Sequence, residues 1–404
     1  MLENLGPITW AMRISGLYHQ LPDEQASKAK RWFSARTYCL VVTVLLWLNL
    51  LRYVPVFFMG VIGWNPLELL TFCWFFQGAI NATLCFRACS NPKHLKEFDR
   101  LWKLFKVDTD VQNVPLVFPK SEMVIWIVIC LIYASVFIFL DFFLYGAGGA
   151  GIFERGQIWL DTYIEPATKS IYVYVLFMCV ELFLCAAWMF PFCLIMLVTI
   201  GLYKVASKLE DFIKDDVQVC QEDWPWNDQL SGAPMDRIPD IATWRYYHSR
   251  VCDMVSQLDK DFSMFILSFS FVAIPKTCFI TYRLIHVFMS KFELTFHVMN
   301  LYWLVFTVLN ITCVLLSATI LHKKLCSPLK YLPRLIGSYG EKDQAIAYQT
   351  QLLLLRMKGA AQLMGFSLGG IFVVSEAFIL TTVGIYGTFI FLVIEFEFEL
   401  MNNS

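Results

Sequence analysis

Seven stretches of apolar residues, each about as long as a helix needs to cross lipid, divide the chain. The first reads TYCLVVTVLLWLNLLRYVPVFFMGV, residues 37–61. The others run over 67–88, 122–147, 170–203, 262–289, 296–322 and 364–396. A bilayer core takes about 20 apolar residues in a helix, so the pattern predicts seven transmembrane helices. The fourth stretch continues into ASKLEDFIKDD. There Glu210 and Lys214 stand four apart with the acid first, which favours a water-exposed helical extension. Residues 216–243 are rich in Pro and Asp and read as a loop. Residues 244–262, WRYYHSRVCDMVSQLDKDF, keep apolar residues near helical spacing and feed the fifth stretch. Residues 344–363 are amphipathic, with Arg356 and Lys358, and Gly365 follows. They predict a cytoplasmic helix, a break, and then the last spanning helix. The alternative is a helix lying on the inner leaflet.

The polar connections carry an orientation signal. Before position 37 stand Arg13, Lys28, Lys30, Arg31 and Arg36, with no sustained apolar core among them. The first spanning helix is therefore expected to act as the targeting signal. Residues 87–121, 204–261 and 323–363 are each rich in Lys and Arg. The alternating connections are poor: 62–66 has none, 148–169 has Arg155 and Lys169, 290–295 has Lys291, and none follows residue 396. Lys and Arg stay on the cytoplasmic side, so the expected architecture is all-α and seven-spanning. Its N-terminus is cytoplasmic and its C-terminus extracellular, with cytoplasmic helical extensions and a split last helix. That is the reverse of a G-protein-coupled receptor. The outer segments contain no Cys for an extracellular disulfide, and neither a DRY nor an NPxxY sequence occurs.

Composition agrees with a lipid solvent. Of 404 residues, 58% are hydrophobic and only 16% charged, against about a quarter charged in soluble domains. The net charge of −1 gives no electrostatic reason for a nucleic-acid partner. The Cys residues fall in spans or cytoplasmic segments, where thiols stay reduced, and none has metal-ligand spacing. No metal or cofactor is expected. Of the N-x-S/T sequons, Asn81 and Asn310 fall inside predicted spans and Asn402 stands at the end of the chain.

Ionisable residues inside a span usually face protein or water. Here they are Asp141, Glu181, Lys276, Arg283, His286 and Glu376. The predicted topology places Asp141, Glu181 and Arg283 in the outer half. They form either packing salt bridges or the polar floor of a ligand pocket, with Trp74, Gln77, Tyr174, Tyr302 and Trp303 as candidate walls. Pro275, just before Lys276, and Pro191 in the fourth span mark expected kinks. No repeat suggests a transporter of inverted halves. No phosphate-binding loop or nucleophile–base spacing suggests an enzyme.

The last span ends in GTFIFLVIEFEFEL, with Glu395, Glu397 and Glu399 and no Lys or Arg after them. Against lipid these acids only terminate a helix. Around an axis shared by several copies they form a ring that concentrates cations, behind which Leu392, Val393, Ile394 and Phe396 close the bore by excluding water. The same stretch resembles the signature of the invertebrate gustatory receptor family, relatives of insect odorant receptors, whose seventh span ends T-Y-h-h-h-h-h-Q-F with h apolar. Thr388-Phe389-Ile390-Phe391-Leu392-Val393-Ile394-Glu395-Phe396 lies in the corresponding place. Thr388, Phe396 and the five apolar positions match, Phe389 replaces Tyr, and Glu395 replaces Gln.

The resemblance implies a plasma-membrane, ligand-gated, non-selective cation channel rather than an enzyme. It implies a homotetramer or a hetero-oligomer with related receptors. Thr388, Phe389 and the stretch to Phe396 would line the pore, and a small-molecule ligand would sit in the outer half of each bundle. The partners would be lipid, that ligand and the permeating cations. The expected organisation is a cytoplasmic segment 1–36, a six-helix bundle with loops 37–343, an anchor helix 344–363, and a pore helix with tail 364–404. Light or peroxide sensing on the same fold is the alternative stimulus. A membrane transporter or enzyme is a further alternative.

Overall fold

The computed structural model describes residues 5–19, 29–62, 66–91, 93–111, 120–149, 171–222, 241–289, 294–333, 336, 344–361 and 364–402. Among these, the α-helices are α1 (Gly6–Ile14), α2 (Ala29–Ile62), α3 (Pro66–Ser90), α4 (Leu95–Val111), α5 (Lys120–Gly149), α6 (Ile171–Glu222), α7 (Ile241–Met289), α8 (Leu294–Cys326), α9 (Gln344–Ala361) and α10 (Glu376–Asn402). Each predicted span falls on one of them, the last only from Glu376 onward. Five are long and apolar enough to cross a membrane over Ala35–Pro55, Cys179–Asp215, Ile241–Ile285, Asn300–Lys330 and Glu376–Phe396. The second and third predicted spans lie on α3 and α5, of 25 and 30 residues. In lipid no water bonds to an open backbone, so an apolar run must close its own hydrogen bonds as helix.

Helices α6 and α7, of 52 and 49 residues, form the frame. At 1.5 Å per residue they reach about 78 and 74 Å, well beyond a bilayer core of about 30 Å. Their polar ends, after 203 and before 262, therefore continue into water, as the sequence predicts. Helix α8 packs on both, α3 on both, α2 on α3, and α5 on α6. Over the apolar part of α6, 78% of the window is buried within the protomer.

The structure revises the polar extension of α6. Glu210 does not serve an exposed pair with Lys214. It is buried, its carboxylate 2.5 Å from Lys324 Nζ and 3.0 Å from Lys330 Nζ, and Tyr331 donates to it at 3.3 Å. This cluster bolts α6 to the end of α8.

Two short helices appear that the hydrophobic runs did not mark. In α1, Ile8 and Met12 are buried and the helix packs on α6. In α4, Phe98, Trp102 and Phe105 share a buried face, spaced as helix geometry requires. That helix lies antiparallel along the start of α7. His94 bonds Asp261 and Gln257 donates to the Lys93 carbonyl. At the other end, Tyr246 donates to the Asp108 carboxylate at 2.6 Å.

The last predicted span, 364–396, is also revised. The helix begins at Glu376, which stands exposed at its N-terminus rather than within the span and pairs with Lys323 at 2.7 Å. An acid there also meets the positive end of the helix dipole. Between α9 and α10 lies a small antiparallel hairpin, β1 (Ser367–Leu368) and β2 (Phe372–Val373). Its turn holds Gly369 and Gly370 at φ 62° and 78°, a region that L side chains rarely adopt. Asp259 of α7 accepts from Ser367 N–H and from its hydroxyl, both at 2.6 Å. Gly369 N–H donates to the Ser263 carbonyl at 3.1 Å. The break before the last helix is thus a hairpin clamped to α7.

Candidate functional site

Four helices meet around one cation. Lys276 of α7 is 1% exposed. Its ammonium stands 3.9 Å from the ring centre of Trp303 on α8 and 5.0 Å from that of Trp188 on α6. Trp303 in turn meets Trp74 of α3 edge to face at 5.3 Å. A desolvated cation over indole rings gains about 2 kcal/mol, which offsets part of the cost of burying the charge. Pro275 precedes Lys276 within α7. A proline removes one helical hydrogen bond at this level.

Polar groups adjoin the cage. Gln77 lies one turn from Trp74 on α3 and is 0% exposed, yet neither its amide oxygen nor its nitrogen has a hydrogen-bond partner. Thr307, one turn beyond Trp303, is also fully buried with its hydroxyl unbonded. An unsatisfied buried polar group costs about 1–3 kcal/mol, so this amide and this hydroxyl are open to a water or ligand partner. Tyr302 packs tilted against Phe306 at 4.7 Å and meets Trp303 edge to face at 6.5 Å.

Of the residues the sequence nominated for ligand contact, Trp74, Gln77, Tyr302 and Trp303 come together here. Glu181 and Arg283 are buried. Glu181 stands seven residues before Trp188 and Arg283 seven after Lys276, so each shares the cage's helix face about 10 Å farther along. Asp141 and Tyr174 lie on α5 and α6, but their side chains fall outside the described residues, as does that of His286. Trp188 and Lys276 were not among the nominated wall residues. Lys276 carried a signal, as the charge in an apolar run. Trp188 carried none beyond being one Trp of 13.

The second feature is α10. Its apolar window is as long as a span requires, yet 0% of it is buried within the protomer. Half-buried positions recur at Phe378, Thr382, Tyr386, Phe389 and Val393, spaced by three or four as one helix face. On this face Tyr386 shares a 2.5 Å hydrogen bond with Thr281 of α7. The other face is exposed and includes Leu380, Val383, Gly387, Thr388, Phe391, Leu392 and Glu395. The nominated pore residues therefore divide. Phe389 and Val393 turn toward the protomer's own bundle, while Thr388, Leu392, Glu395 and Phe396 are exposed. Ile394 is 39% exposed, between the two faces. Helix α7 links these features: it holds Lys276, clamps the hairpin and bonds α10.

The fold has solved counterparts. The insect olfactory receptor OR5 from Machilis hrabei matches with a TM-score of 0.62 at 14% identity, covering 96% of each chain. The same receptor in complex with eugenol matches with a TM-score of 0.63 at 14% identity, covering 97% of each. At that identity the likeness speaks for the fold. No curated protein matches the sequence. The family model of 7tm chemosensory receptors matches residues 5–400, nearly the whole chain, and the protein belongs to that family of multi-pass membrane receptors.

Proposed function

We propose that the protein is a ligand-gated, non-selective cation channel of the plasma membrane, of the gustatory type. It would assemble as a tetramer, with the N-terminus cytoplasmic and the C-terminus extracellular. The observation that carries this reading is α10: as apolar as a core helix, uncovered within its own protomer, and bearing Glu395 on the uncovered face. Against lipid, a carboxylate at this end of the span would only terminate the helix. Copies that turn these faces toward one axis give Glu395 water and leave Leu392 as an apolar constriction that gates by dewetting.

The aromatic cluster is the proposed ligand site. Machilis hrabei OR5 has been solved with eugenol, a small molecule, and the unbonded Gln77 and Thr307 here offer a ligand one amide and one hydroxyl. A ligand opens the channel only by binding the open arrangement more tightly than the closed one. Helix α7 is the element through which that preference reaches α10, by way of Thr281–Tyr386 and the clamped hairpin.

Expression alone in a cell, with current recorded against a tastant panel, tests the class. Ligand-evoked cation current supports it, and its absence in a surface-expressed protein under every pairing with related receptors overturns it. Glu395→Gln tests the pore. Surface level should be unchanged, while relative calcium permeability or the acid dependence of the current shifts at least about twofold, since the exchange removes one charge per copy from a shared ring. Identical permeation in the variant removes Glu395 from the bore.

A further inference from the structure

A cavity of about 220 Å³ lies away from the aromatic cluster, among the polar extensions. Its walls are one face of α7, the end of α8, α9, and the segment that enters the hairpin. His248 and Cys252 both line it, one helical turn apart. His248 Nε2 lies 3.0 Å from the Leu325 carbonyl. A carbonyl only accepts, so Nε2 carries the proton, and in the neutral ring Nδ1 keeps its lone pair. Cys252 Sγ stands 3.7 Å from that Nδ1 and 3.9 Å from Nε2, against the edge of the ring. A nucleophile therefore lies within reach of a base, and the base is oriented by a third group.

We propose that Cys252 is a covalent acceptor site for small α,β-unsaturated carbonyl electrophiles, activated by His248 and seated in this cavity. The thiol proton passes to Nδ1 and the sulfur attacks the β-carbon. One S–C bond forms as the C=C π pair moves into the enolate. The proton then returns to the α-carbon, so nothing is oxidised and nothing leaves. Arg245 and Asp253 are the charged residues on the same cavity wall. The other elements packed on the cavity contribute Leu325, Leu353, Met357, Met364 and Gly365, none ionisable. His322 stands behind Met364 and bonds its carbonyl. These apolar, sulfur-rich walls suit a soft organic molecule. The volume lies below the roughly 300–1,000 Å³ of sites for drug-sized ligands, which restricts the guest to small electrophiles. The proposed topology places the cavity in the cytoplasm, where the thiol stays reduced. An adduct wedges between α7 and the segment leading to α10. Its effect on current rests on the channel reading, but its chemistry does not.

The test is limiting N-ethylmaleimide on the purified full-length protein, with labelling followed by peptide mass spectrometry across pH. Cys252 should react at least about tenfold faster than the half-buried Cys313 and Cys326. Its rate should level off near pH 7, whereas an unassisted thiol gains about tenfold per pH unit up to about 8.5. His248→Gln should slow Cys252 about tenfold and restore that slope. Equal rates at the three cysteines, or a wild-type profile that climbs to 8.5, overturns the proposal even if the variant fails to fold. Fast labelling that leaves ligand-evoked current unchanged upholds the site and removes its link to the gate.

Discussion

Gln77 buries an amide with both polar atoms unbonded, and that makes it the sharpest probe of the ligand cluster. If its partner is a ligand, Gln77→Met removes a desolvation cost from the empty protein and a hydrogen bond from the complex. Thermal unfolding should be unchanged or shifted upward. The half-activating ligand concentration should rise by up to about tenfold, since one hydrogen bond contributes about 0.5–1.5 kcal/mol and 1.4 kcal/mol is tenfold. Calcium imaging and melting of the detergent-purified variant read the two quantities. A less stable protein with an unaltered dose response makes Gln77 a structural residue. At this scale the sequence marked individual residues but not their company. Trp74, Gln77, Tyr302 and Trp303 were nominated as aromatic and amide residues near the charges buried in the spans, and the fold brings them together. Trp188 was invisible because only the packing of α6 against α7 and α8 turns it onto Lys276. Glu210 misled for the same reason: its neighbour in sequence was Lys214, while its partners in space are Lys324 and Lys330, more than a hundred residues away.

The hairpin is the element on which coupling depends. Its position is held by two bonds to one carboxylate, Asp259, and by the close seat of Gly369. A Cβ added there meets Leu267 Cδ2 at 2.7 Å while the backbone sits at φ +62°. Gly369→Ala should therefore lower stability by about 1–2 kcal/mol, the cost of a left-handed residue with a side chain, read as an earlier melting transition. Asp259→Ala should leave ligand affinity within about twofold while the maximal current falls several-fold, because it frees the hairpin without touching the aromatic cluster. A parallel loss of binding and current would place Asp259 in general folding. The element could not have been read from the chain. Phe366 to Val374 is apolar enough to continue into the last span, and the sequence reading merged them. What separates them is Gly365, Gly369 and Gly370 at positive φ and a donor pattern that only α7 completes. The long spans were legible for the opposite reason: each is fixed by a one-dimensional property, a run of apolar residues that lipid forces into helix. Helices α1 and α4 were missed because their apolar residues are few and acquire meaning only against α6 and α7.

At the scale of the whole molecule, the exposed face of α10 has two possible surroundings, lipid or other copies around water, and they differ in a measurable periodicity. Single cysteines placed along α10 in a background lacking reactive thiols, treated with a charged, water-soluble thiol reagent, report which positions reach water. Under the channel reading Thr388→Cys, Leu392→Cys and Glu395→Cys react, faster with ligand present than without, because opening wets the bore. Phe389→Cys and Val393→Cys should react at least about tenfold more slowly in both states, since those positions turn into the protomer's own bundle. Side-chain reach on a helix follows its 3.6-residue turn, so modification spaced by three and four residues is the pattern required. Reagent added only from outside should suffice if the chain ends there, which tests the orientation inferred from the Lys and Arg counts in the same experiment. Uniform protection along the whole face would mean that lipid covers α10, and a pattern visible only with internal reagent would reverse the topology while leaving the pore in place. The two failures are distinct because exposure to water follows from assembly, and the side of access follows from insertion.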